Sequence, residues 1–89
     1  LTARAIACTG DAHSILNNFS EALKYYLQAA NHADNVYAAA YLLKAGIICE
    51  EMGNPQEALT YYKRIKENYP STPEGYEIDK YISRIEVAE

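Results

Sequence analysis

The side chains able to do chemistry in this chain are few and poorly spaced for it. His13, His32, Cys8 and Cys49 are the soft metal ligands. Cys8 and His13 lie five residues apart, which places them on different sides of a helix, and no CxxC or Cys/His zinc spacing occurs. Glu50 and Glu51 are adjacent, so on a helix their carboxylates diverge and cannot work as an acid–base pair. No Ser/His/Asp arrangement and no glycine-rich phosphate loop appears. The sequence therefore predicts no catalytic residue, no metal site and no cofactor. Two cysteines are too few for a disulfide framework. Cys8 and Cys49 could pair in an oxidising compartment, but both are expected as buried small hydrophobes. Lys63-Arg64-Ile65-Lys66 is a short basic cluster expected at a solvated helix end.

Nine tyrosines against one phenylalanine and no tryptophan is an unusual aromatic balance. Tyrosine suits a packing surface where the ring is buried and the hydroxyl reaches water. The pairs Tyr25-Tyr26 and Tyr61-Tyr62 could stack bases or sugars. With a net charge of −4, however, the chain offers no basic groove to accompany them. No nucleic-acid partner is expected, and the tyrosines are assigned to the core. No apolar run reaches the ~18 residues of a membrane span.

What must position these residues is a repeat. Asn18–Tyr26 reads NFSEALKYY and Asn54–Tyr62 reads NPQEALTYY, 36 residues later, with six of nine positions identical. Gly10 and Gly46 extend the same register backwards. A fixed period in the mid-thirties marks an array of paired helices. Five helical segments follow from the apolar periodicity. The first, residues 1–16, carries Ile6, Gly10, His13 and Leu16 at helical spacing, and Asn17-Asn18 ends it. The second, Phe19–His32, carries the stripe Ala22, Tyr26, Ala29, with Asn18 or Ser20 as its cap. The short link Ala33-Asp34-Asn35 implies antiparallel neighbours. The third, Val36–Met52, is apolar around most of its circumference, as a sandwiched helix is, and Gly53 stops it. The fourth opens on Asn54-Pro55, where Glu57 completes an Asn-x-x-Glu capping pattern. It buries Ala58, Leu59, Tyr62 and Ile65 and ends at Tyr69-Pro70. The fifth follows Pro73, with Ile78, Ile82 and Ile85 on one face and charged residues on the other, as a terminal cap of an array requires.

At these residues the chain resembles the tetratricopeptide repeat family. Leu42, Ala45, Gly46, Cys49, Gly53, Ala58, Tyr62, Ile65 and Pro70 fall on the family's consensus sites in one unit. Ile6, Gly10, His13, Ala22, Tyr26 and Ala29 fall on them in the other. The first unit departs at Asn17, where the family has its turn glycine, and at Asp34, in place of proline. The resemblance implies an all-α fold of antiparallel helix-turn-helix repeats in a right-handed superhelix. Repeat one would span 3–38, repeat two 39–72 and a capping helix 73–89, in a single domain that belongs to a longer array. The run from Ala45 to Glu86 is also similar to the C-terminal end of small membrane-anchored tetratricopeptide proteins of Bacteroides-type bacteria, distant relatives of the single-span, periplasm-facing ancillary protein of the secretion translocon. That similarity implies a periplasm-facing location at a bacterial inner membrane, with the cytoplasm as the runner-up, and an anchor ahead of Leu1.

The family binds peptides on the concave face lined by the first helix of each repeat. That resemblance assigns Arg4, Ala7, Asp11, Ser14 and Ile15, then Ala40, Leu43, Ile47, Glu50 and Glu51, to a groove. The Lys/Asn/Arg clamp with which some members hold a terminal carboxylate is missing: Ala7 and Asp11, then Leu43 and Ile47, stand at its Lys and Asn positions. The expected groove is apolar with an acidic rim, and Leu43 and Ile47 could instead pack against a neighbouring helix or a second copy. The function expected is non-enzymatic: a scaffold binding a partner protein or peptide. Self-association into a homo-oligomer, through the uncovered face of the first two segments, is the alternative.

Overall fold

Each helix of the chain buries one face against the helix that follows it. The computed structural model describes residues 1–88, without the side chain of residue 35. The helices are α1 (Ala3–Ile15), α2 (Phe19–His32), α3 (Asn35–Glu51), α4 (Pro55–Asn68) and α5 (Pro73–Ala88). The expected cap's last residue, Glu89, lies outside the described residues. The links are two to four residues long, so consecutive helices fold back antiparallel. α1 packs on α2, α2 on α3, α3 on α4 and α4 on α5, with a thin additional contact between α3 and α5. The result is a slab of 36 × 28 × 15 Å.

The core follows the periodicity. Ala22, Tyr26, Leu42, Ala45, Cys49, Ala58, Tyr62, Ile65, Ile78, Ile82 and Ile85 are all buried in one continuous cluster. A smaller cluster joins Ile6 and Ala7 of α1 to Ala29 of α2, flanked by Tyr25 and Tyr41. The repeated glycines are where the repeated tyrosines lie. A Cβ at Gly46 would sit 2.3 Å from the Tyr62 ring, and one at Gly10 would sit 2.9 Å from the Tyr26 ring. Both are closer than carbon atoms can pack, so the glycine of the first helix and the tyrosine of the second form one unit.

The two interhelix turns are also alike. After α3, Gly53 adopts φ +77°; after α1, Asn17 adopts φ +61°. Gly53 N–H donates to Glu50 O at 3.0 Å and Asn54 N–H to Cys49 O at 2.9 Å. Asn17 and Asn18 repeat this with Ser14 O at 3.0 Å and His13 O at 2.8 Å. These are Schellman turns, and asparagine is the residue that best replaces glycine in the left-handed region.

Three expectations need correction. Asn18 and Asn54 occupy the N-cap positions of α2 and α4, but neither side chain caps, and Ser20 lies inside α2. The backbone N–H that Glu57 would satisfy in a capping box is already taken by the preceding Schellman turn. Glu57 instead accepts from the Tyr61 hydroxyl at 3.2 Å and from the Cys49 thiol at 3.6 Å. Cys8 is exposed, while Cys49 is buried, and both are free thiols. Cys8 faces away from α2, on the side of α1 that also exposes Ala5 and Ala12. Leu16 likewise leaves the apolar stripe: it is the C-cap of α1 and stands 68% exposed.

Candidate functional site

Two carboxylates from the expected groove are tied down by the same device. The Tyr26 hydroxyl donates to Asp11 Oδ1 at 2.5 Å, and Lys44 Nζ reaches the same oxygen at 2.9 Å. The Tyr62 hydroxyl donates to Glu50 Oε2 at 2.5 Å, and Arg84 Nη2 reaches that oxygen at 2.5 Å. Each device joins three helices: α1, α2 and α3 in the first, α3, α4 and α5 in the second. Burial alone would raise the Asp11 pKa, but the Tyr26 and Lys44 hydrogen bonds outweigh it and lower it. Burial, reinforced by the acceptor carboxylate, pushes the Tyr26 and Tyr62 hydroxyls well above the usual phenol range. Neither tyrosine is poised to ionise, so these are staples and not catalytic pairs.

The rest of the expected groove is dispersed along two helices, α1 and α3. Ala7 is buried beneath Ala29 and is covered. Ser14 lies half-buried beside Tyr26. Ile15 stands 82% exposed at the end of α1. Arg4 lines a cleft of about 430 Å³ with His32, Asp34, Tyr37 and Tyr41, at the edge where α1 and α3 begin. Leu43, Ile47, Glu50 and Glu51 come together on α3, along its contact with α5. Leu43 is half-buried and lines a small cavity of about 130 Å³ with Pro73, Glu74 and Glu77. One turn on, Ile47 is 38% exposed. It lines a cavity of about 430 Å³ with Glu50, Glu51, Tyr81 and Arg84.

The two rows facing each other are thus Leu43, Ile47 and Glu50-Glu51 on α3, and Glu74, Glu77, Tyr81 and Arg84 on α5. The pairing order shows that α5 runs parallel to α3 and forms the second wall of a trough beside it. It is held there from below by Tyr81 against the Tyr62 ring, with centroids 5.5 Å apart. On α4, Lys63–Glu86 at 3.3 Å and Lys66–Asp79 at 2.9 Å hold it from the side. The basic cluster of α4 is therefore a helix end paired to α5. Sequence reasoning missed Glu74, Glu77, Tyr81 and Arg84 as residues of this trough, and Lys44 as the partner of Asp11. The periodicity of α5 marks its buried isoleucines, but nothing local shows which of its polar residues lie beside α3.

Among the described residues no group of three His, Cys, Asp or Glu side chains is placed to hold a metal ion. No described helix is long and apolar enough to cross a membrane. Stacked antiparallel helix pairs and glycine-under-tyrosine packing at a 36-residue period define a helical-repeat scaffold. The chain belongs to the tetratricopeptide repeat family, whose model matches residues 1–71. Repeats of this family generally mediate protein–protein interactions and are not themselves catalytic. Comparison with curated proteins and comparison with solved structures each return no match.

Proposed function

We propose that this chain is a non-enzymatic protein-interaction module that holds a partner protein or peptide on its concave face, with the trough between α3 and α5 as the contact site. We divide it into repeats at 3–38 and 39–72 with a capping helix over 73–89, a division supported by the two matching glycine–tyrosine units. The observation that carries the reading is the trough itself. Leu43 and Ile47 leave apolar surface open between α3 and α5, two helices that α4 spaces by packing against both and that the Glu50–Arg84 pair bridges. A rigid apolar cleft with a few fixed polar groups is what a peptide side chain needs.

A second reading is self-association, favoured by the exposed apolar residues of α1, Ile15 at 82% and Leu16 at 68%. It would serve a membrane-anchored, periplasm-facing protein if the similarity of the closing run extends to location. Solution mass over a concentration series, for wild type and Ile47→Glu, separates the two. A monomer throughout supports the open trough. A dimer that Ile47→Glu dissolves places a second copy in the trough, and a dimer indifferent to it places the contact on α1.

A further inference from the structure

The carboxylates of this chain are not equally free. Asp11, Glu50, Glu77, Asp79 and Glu86 each pair with a cation within 3.3 Å. Glu57 accepts from Tyr61 and Cys49. Glu51 and Glu74 have no cation or donor partner among the described residues, and both line the trough. They stand at its two ends: Glu74 beside Leu43, and Glu51 one turn beyond Ile47. Four carboxylates (Glu50, Glu51, Glu74, Glu77) line the trough against one lining cation, Arg84. Arg84 is committed to Glu50 at 2.5 Å and Lys80 to Glu77 at 3.1 Å. Between the two free charges the floor is apolar: Leu43, Ile47 and the Tyr81 ring.

On that basis, and resting on the peptide-binding reading above, we infer that the α3–α5 trough selects a peptide with an apolar side chain flanked on both sides by lysine or arginine. The apolar side chain seats on Leu43 and Ile47, and its basic neighbours reach Glu74 at one end and Glu51 at the other. Leu43 and Ile47 lie about 6 Å apart along α3, so the apolar anchor and both charges fit within a short segment. An acidic peptide meets repulsion at both ends, with no uncommitted cation in the trough to offset it. The staples sharpen this choice: by tying Glu50 to Arg84 they leave only Glu51 and Glu74 to read charge. Complementary rim charges set partner choice and on-rate more than raw affinity.

Fluorescence anisotropy tests this with three labelled, amidated peptides that alternate leucine with lysine, serine or glutamate. The Leu/Lys peptide is expected to bind, and the Leu/Glu peptide to bind least. Replacing Glu51→Gln and Glu74→Gln together keeps the shape and should weaken Leu/Lys binding about five-fold, in line with two solvent-exposed ion pairs. Glu67→Gln removes another exposed charge that has no partner among the described residues, on α4 away from the trough, and should leave binding unchanged. Equal binding of all three peptides, lost in Ile47→Glu, would overturn the charge selection and leave the peptide-binding reading standing. Leu/Lys binding weakened equally by Glu67→Gln would overturn it as attraction to the acidic chain as a whole. A protein that binds none of the peptides and dimerises through Ile47 would overturn both readings, the trough being filled by a second copy.

Discussion

At the scale of single residues, the positions that define the repeat are those where a close approach or a backbone angle leaves no choice. Gly46 is the sharpest. Alanine there gains about 1 kcal/mol of helix propensity, but its methyl would collide with the Tyr62 ring at 2.3 Å. Overpacking of this kind costs about 1–3 kcal/mol, and the ring is wholly buried with no room to retreat. Gly46→Ala should therefore lower stability in urea unfolding, and an unchanged midpoint would refute the account of why the glycine recurs. Gly53 meets no neighbour but holds φ +77°, so Gly53→Ala should cost about 1 kcal/mol through the backbone alone. The period exposed both glycines and their tyrosines from the sequence. The hydroxyl partners were hidden, because Asp11 and Glu50 sit one turn apart in the repeat register and so do not echo each other.

The buried hydroxyls and thiol make a second residue-scale prediction. Burial and the adjacent Glu57 carboxylate push the Tyr61 hydroxyl up to about 12, and the same two causes push the Cys49 thiol up to about 12. A group whose folded pKa is raised contributes stability that is present below its unfolded pKa and is lost as pH rises above it. For these tyrosines that loss begins near pH 10. Spectrophotometric titration followed beside the helical signal tests this. Tyr26, Tyr61 and Tyr62 should ionise only as the helical signal collapses. At pH 8 a thiol reagent should modify Cys8 quickly and Cys49 only in denaturant; two fast thiols would contradict the placement of Cys49 in the core.

At the scale of elements, α5 decides whether there is a groove at all. Its amphipathic pattern was plain in the sequence, and Ile78, Ile82 and Ile85 are buried as the spacing requires. Its parallel alignment beside α3 was not legible, since that depends on the separation set by α4 and on Tyr81 packing over Tyr62. Packing should dominate charge in holding it. Ile78 is fully buried, and Ile78→Ala should cost about 2–4 kcal/mol. Lys66→Ala breaks a pair whose side chains are 57% and 72% exposed, and should shift stability by less than about 1 kcal/mol. Thermal or urea unfolding of the two variants gives the comparison, and equal losses would mean that the ion pairs along α4 hold the cap. Competition for one backbone group also explains why Glu57 forms no capping box at the start of α4. A capping box is a local sequence pattern, but the N–H it serves had already been claimed by the turn before it.

At the scale of the whole molecule, two glycine–tyrosine units and a cap enclose one core and leave two kinds of surface uncovered. One is the outer side of α1, where Ala5, Cys8, Ala12 and Ile15 are exposed. The other is the trough, where the apolar floor is bounded by two uncommitted carboxylates. The fold class and helix count were readable because a 36-residue echo is a whole-chain signal. The charge pattern of the trough was not, because the acidic rim expected from Asp11 and Glu50 is neutralised by cations that lie 33 and 34 residues away in sequence. The most direct test of the trough as the binding face is a two-dimensional amide NMR titration of the full chain with the Leu/Lys peptide. The account predicts saturable shifts at Leu43, Ile47, Glu51, Glu74 and Tyr81, with the outer faces of α2 and α4 silent. Shifts centred on Ala5, Cys8 and Ala12, or spread evenly over every acidic residue, would contradict it.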